Sequence, residues 1–131
     1  MSTATVLQAK DVIPSLTAND LTKSLRFYTE GLGFEITDRY DVEGRLQGAM
    51  LKAGGAVLGI SQDDFKKGRD RTKGVGMGLH IETDQDIVAL AEKAKAAGIV
   101  LTSGPEPLPW GPMGFTVTDP DGFKTTISNT E

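Results

Sequence analysis

The segment GLHIET, residues 78–83, carries the only histidine of the chain, His80, and a carboxylate two positions later, Glu82. Imidazole ordinarily titrates around neutral pH, so it can hold, give or accept a proton under physiological conditions. On a strand, residues two apart share a face. His80 and Glu82 then face one way, opposite Leu79 and Ile81, either as an acid–base pair acting on something bound or as a structural histidine held by Glu82 or a backbone carbonyl. A second candidate is Trp110, the sole tryptophan, set in the run PWGP. Proline and glycine restrict the backbone around it, so the indole forms either a flat wall for a ligand or a plug at the end of a core. Hydroxyls at Ser15, Ser61, Thr116 and Thr126 alternate with apolar residues on strand-like segments and can donate hydrogen bonds into the same space. None sits in a GxSxG elbow beside an acid that would make it a nucleophile.

The elements that must position these residues fall into two similar halves. VIPSLT, 12–17, reads as a strand, after which Asn19 or Asp20 can cap a helix. Leu21, Leu25, Tyr28 and Leu32 recur at helical spacing until Gly31 and Gly33 end it. Strands are expected at 34–40, 47–52 and 56–61, separated by the turn-prone DVEG and AGG. GLHIET then opens the second half as a strand, Asp84 or Asp86 caps a helix with the apolar stripe Ile87, Leu90, Ala91, Ala94 and Ala97, and Gly98 closes it. Strands follow at 100–103, 114–118 and 123–128, the last two joined by the turn DPDG, 119–122. Phe115 and Val117 would face the helix, leaving Gly114, Thr116 and Thr118 on the other side. Both halves read βαβββ, and aligning Asp20 with Asp86 brings Leu21 onto Ile87, as an internal duplication would. The expectation is an α+β fold: one domain, 1–131, of tandem βαβββ modules at about 12–61 and 78–128 joined by loop 62–74. One helix covers one face of each sheet; the other face, shared with the second half or with another subunit, forms a curved cleft.

Composition narrows the function. A net charge of −4 over 131 residues leaves no basic footprint for nucleic acid. The run KKGRDRTK, from Lys66 to Lys73, reads as a solvated loop, with an anion site as the alternative. No cysteine is present, which removes thiolate zinc sites and cysteine nucleophiles and suits a reducing cytoplasm. No apolar run approaches the roughly 20 residues that cross a bilayer, and no export signal is expected at the start.

The stretch IPSLTANDLTKSLRFYTEGLGF, together with the late WG and DPDG, resembles the vicinal oxygen chelate superfamily of glyoxalases, extradiol dioxygenases and bleomycin-resistance proteins. P-x-L-T-A-x-D at 14–20 and P-W-G at 109–111 are most similar to the bleomycin-resistance branch. The resemblance implies the glyoxalase/bleomycin resistance fold and a homodimer whose clefts are completed across the subunit interface. In metal-dependent relatives, ligands project from the first and last strands of each module; here those positions fall at or near Ile13, Gly59, His80 and Thr126. A catalytic metal wants at least three protein ligands, and only His80 qualifies. The reading is therefore a protein without metal or other cofactor that sequesters a planar or amphipathic small molecule, such as an antibiotic, through Ser15, Ser61, His80, Glu82, Trp110, Thr116 and Thr126. The alternative is a glyoxalase-type lyase or isomerase with a degenerate metal site or His80 and Glu82 as acid and base. The donor-poor set predicts purification without stoichiometric transition metal. Elemental analysis finding one nickel, zinc, iron or manganese per chain would contradict it.

Overall fold

Acidic caps decide where the helices begin. In the computed structural model, which describes residues 5–130, the Asp20 carboxylate accepts the Lys23 N–H at 3.2 Å, and Asp86 accepts those of Val88 and Ala89 at 3.0 and 3.2 Å. Each contact satisfies a donor that the first helical turn leaves orphaned, worth about 1 kcal/mol. The helices so opened are α1 (Leu21–Arg26) and α2 (Ile87–Ala96). The regular 3.6-residue helix expected through Leu32 is not what forms, because α1 widens into a π-helical turn at Phe27–Gly31. There two adjacent rings, Phe27 and Tyr28, both pack inward, 5.0 Å apart and edge-on. Gly33, at φ 85°, then provides the left-handed residue that stops the helix. On α2 the buried stripe is Ile87, Ala91 and Ala94, while Ala97, expected to join it, is exposed past the helix end.

The strands make two four-stranded sheets. β1 (Ser15–Ala18), β2 (Glu35–Val42), β3 (Arg45–Ala53) and β4 (Ala56–Gln62) are ordered β1-β4-β3-β2. β5 (Gly78–Glu82), β6 (Leu101–Pro107), β7 (Met113–Thr118) and β8 (Lys124–Ser128) repeat that order as β5-β8-β7-β6. The first and last strands of each set pair in parallel and the others antiparallel. β6 runs further than the sequence suggested, through Pro105 and Pro107. It lies at a sheet edge, where a missing N–H breaks no ladder on the open side.

Each sheet buries one face against the helices. Leu16, Ala18, Ala49, Leu51, Leu58 and Ile60 are buried in the first core, Phe115, Val117 and Ile127 in the second, and Phe27, Leu32 and Ile81 pack against both. A polar clamp joins the halves. The fully buried Tyr28 donates its hydroxyl to the Asp119 carboxylate at 2.8 Å, which also accepts the N–H groups of Asp121 and Phe123 at 2.9 Å. Asp121 in turn accepts the Ser24 hydroxyl at 3.1 Å and the Asn19 N–H at 3.0 Å. Burial raises the carboxyl of Asp119 above its usual range despite those donors. Burial, followed by the charge of Asp119, raises the Tyr28 hydroxyl, so it stays protonated and donating at neutral pH.

The basic run of the connection 63–77 is exposed from Lys66 to Thr72, as a solvated loop would be, but it is tied down at Lys73. Asp63 binds Lys73 at 2.8 Å, both side chains only 5% exposed, and Arg71 at 3.2 Å. Lys73 also donates to Asn19 at 2.6 Å, and Arg69 lies 4.4 Å over the Phe65 ring. Lys66, Lys67, Arg69 and Arg71 all remain at the surface.

Two tests follow from these pins. Tyr28→Phe should lower the unfolding free energy by about 1–3 kcal/mol in denaturant titration, since it removes a buried hydrogen bond to a carboxylate; an unchanged midpoint would deny the clamp its role. The hydrogen bond from Lys73, then that from Phe65 N–H and that from Arg71, hold the Asp63 carboxyl far below its ordinary range. A depressed folded pKa stabilises above the unfolded value, about 4, and that contribution is lost as pH falls through the folded pKa. Asp63→Asn should therefore flatten the acid side of the stability profile below about pH 4, and an unchanged profile would refute the assignment.

Candidate functional site

The inner faces carry the two cores, and the candidate site residues lie on the outer faces of the sheets. On the second sheet, the pairing sets His80 beside Thr126 and Thr126 beside Thr116, with Glu82 opposite Ser128 one step further along. Thr116 and Thr126 share a hydrogen bond of 2.9 Å. His80 Nε2 lies 2.8 Å from the hydroxyl of Ser128, a fully buried residue, and the imidazole tautomer sets which of them donates. The partner of His80 is thus Ser128, neither Glu82 nor a backbone carbonyl, and among the described residues no hydrogen bond joins His80 to Glu82. Ser128 was missed by sequence reasoning, although strand parity from Thr126 would have placed it on this face.

Trp110 stands over the same face. Leu108 N–H bonds to Pro112 O and Gly111 N–H to Leu108 O, each at 2.8 Å, tying the PWGP run into a tight turn between β6 and β7. The indole is 62% exposed, and its ring centroid is 5.7 Å from that of His80, tilted by 56°. It is no core plug.

Ser15 and Ser61 are set apart from this group, on the outer face of the first sheet. Ser15 pairs with Gly59 and Gly59 with Met50; Ser61 pairs with Gly48 and Gly48 with Tyr40. A depression of about 250 Å3 forms there, with Ser15, Ser61, Met50, Gly59, Tyr40 and Asp38 in its wall. Glycines in two neighbouring strands leave a flat floor, flanked by the Met50 thioether and the exposed Tyr40 ring. Tyr40 and Asp38 were not singled out from the sequence, because β2 carries irregularities between Ile36 and Asp38 and between Tyr40 and Asp41 that defeat simple alternation; Met50, on β3, was not singled out either.

The four metal-ligand positions do not converge on a donor set. Gly59 lies in the first sheet with Ser15 as its register partner, Ile13 precedes β1, and Thr126 next to His80 offers only a hydroxyl already paired with Thr116. Among the described residues no three His, Asp or Glu side chains gather to hold a metal ion. The residues present therefore do not fit the metal of the metal-dependent relatives. Among the described residues, no helix is long and apolar enough to cross a membrane.

These features meet in one family. The profile of the Glyoxalase/Bleomycin resistance protein/Dioxygenase superfamily matches residues 10–127, and the chain belongs to that superfamily. No curated protein matches it. Among solved structures it is similar to TioX from Micromonospora sp. ML1, at 17% identity and TM-score 0.72 over 94% of this chain and 100% of that one. It is likewise similar to TnmS3, an antibiotic binding protein from Streptomyces sp. CB03234, at 22% identity and TM-score 0.69 over 95% and 100%. The virulence protein STM3117 from Salmonella typhimurium shares 26% identity at TM-score 0.63 over 93% and 98%.

An indole this exposed contributes little to the fold. Trp110→Ala should change unfolding free energy by no more than about 0.5 kcal/mol, the usual range for surface positions, as measured by thermal or chemical unfolding. A loss of several kcal/mol would restore the plug reading.

Proposed function

We propose that this protein binds and sequesters a planar or amphipathic small molecule on the outer faces of its sheets, without covalent change to it. The observation that carries this reading is the exposed Trp110 ring, held by a tight turn beside His80, whose neighbours across the sheet are Thr126 and Thr116. A ring fixed in advance gives a flat ligand a stacking surface at low ordering cost, while the histidine and threonines beside it supply hydrogen bonds. The fold shared with the antibiotic binding protein TnmS3 supports a ligand of antibiotic type. The first sheet offers the complementary half, a flat glycine floor with Met50 and Tyr40. We propose a homodimer in which that half of one copy faces the Trp110 half of its partner, so that Ser15 and Ser61 join His80 and Thr126 around one ligand. Glu82 belongs to the rim of this site. A glyoxalase-type lyase or isomerase would leave His80 to move protons with Ser128 as its partner, and no observation favours that reading.

Binding of a planar aromatic compound should change the fluorescence of the sole tryptophan. Trp110→Ala should weaken the same binding by about 1–3 kcal/mol, the scale of an aromatic contact at a hot spot. Calorimetric binding that leaves both the fluorescence and the Trp110→Ala affinity unchanged would refute the site.

A further inference from the structure

A cavity of about 580 Å3 opens on the inner side of the molecule, between the two modules. Leu32 and Phe34 from the end of the first helical segment line one side. Ile81, Phe115 and Ile127 from the inner face of the second sheet line the other, with Leu90 of α2. Leu32, Ile81 and Leu90 are only partly buried, so the edge of the second core is open to solvent here. The volume lies within the roughly 300–1,000 Å3 of small-molecule sites, which are mostly apolar with a few placed polar groups.

Two charged residues line this cavity, Lys93 and Glu82, and Lys93 is the one cation among them. Lys93 Nζ donates to the Glu30 carbonyl at 3.3 Å and stands 3.7 Å from the point where a side chain on Gly33 would begin. An ammonium has three donors, and no carboxylate lies within ion-pair distance of Lys93 among the described residues. No other cation lines the cavity to share a ligand's anion with Lys93. Glu82 borders the cavity, but alternation with Ile81 on β5 directs its side chain to the face that carries His80, while Thr83 and Gln85 hydrogen-bond each other. An apolar trough ending in an unpaired cation selects an apolar body that carries an anionic head.

We propose that this inner cavity binds an amphipathic carboxylate, an acyl or arylalkyl acid, with its apolar body on Leu32, Phe34, Leu90 and Phe115 and its carboxylate on Lys93. The site lies across the second sheet from Trp110 and does not depend on the outer-face ligand.

The test is calorimetric titration of the full chain with decanoate below its micelle concentration, with decylammonium as the charge-reversed control. Decanoate should bind and decylammonium should not. Lys93→Met should weaken decanoate by about tenfold or more, as loss of a charge-assisted hydrogen bond implies, while Lys93→Arg keeps it and Trp110→Ala leaves it unchanged. Circular dichroism and melting confirm that each variant is folded. The proposal is overturned if the wild type does not bind decanoate, if both probes bind equally, if Lys93→Met binds as the wild type does, or if Trp110→Ala abolishes binding.

Discussion

One buried hydrogen bond, from the Tyr28 hydroxyl to the Asp119 carboxylate, sets the relation between the two halves of this protein. A carboxylate removed from water is costly unless donors surround it, and Asp119 has three: the phenol and two N–H groups of its own turn. Because the phenol comes from the other module, that requirement is met only when the modules are docked. Asp121 adds the Ser24 hydroxyl and the Asn19 N–H, so one turn holds the first helix both at its start and along its length. The helical sides of the sheets are thereby held to each other, and the opposite faces are left outside the cores.

The connection between the modules reinforces this docking. Lys73, held by Asp63 and Asn19, stands next to Gly74, where a Cβ would run into the backbone of Gly122 in the DPDG turn. Gly74 has φ 76°, so glycine there satisfies both a left-handed backbone and a close approach. Helix, connection and final turn therefore meet at one place, remote in sequence and close in space.

Much of the fold was legible because it rests on local chemistry. Asp20 and Asp86 cap as their position before an apolar stripe implies, and the parity of Phe115 and Val117 against Thr116 and Thr118 gives the correct faces. What escaped depends on pairing across distance. The alignment of the halves holds at the helices but not at the strands before them: matching the caps sets outward-facing His80 on Pro14, whereas Ser15 lies in register with Gly59 and Leu16 is in the core. The site was legible in part for the same reason. His80, Thr116 and Thr126 come together by strand parity, and Trp110 by the rigidity of its turn. The Ser128 contact, the Met50 and Tyr40 walls and the role of Asp119 required the register of strands that no local pattern encodes.

The outer faces bear the functional reading, with the hydroxyls, the imidazole and the indole divided between two sheets that only a second copy need bring together. The central claim is that the helix-side docking leaves both outer faces to a common ligand. A backbone amide shift map of the full-length protein, titrated with a planar aromatic compound, tests it most directly. The account predicts that amides at Ser15 and Ser61 move together with those at His80, Trp110, Thr116 and Thr126, saturating at a single ligand concentration. Shifts centred on Tyr28 and Asp119, or confined to one sheet while the other stays still, would contradict it.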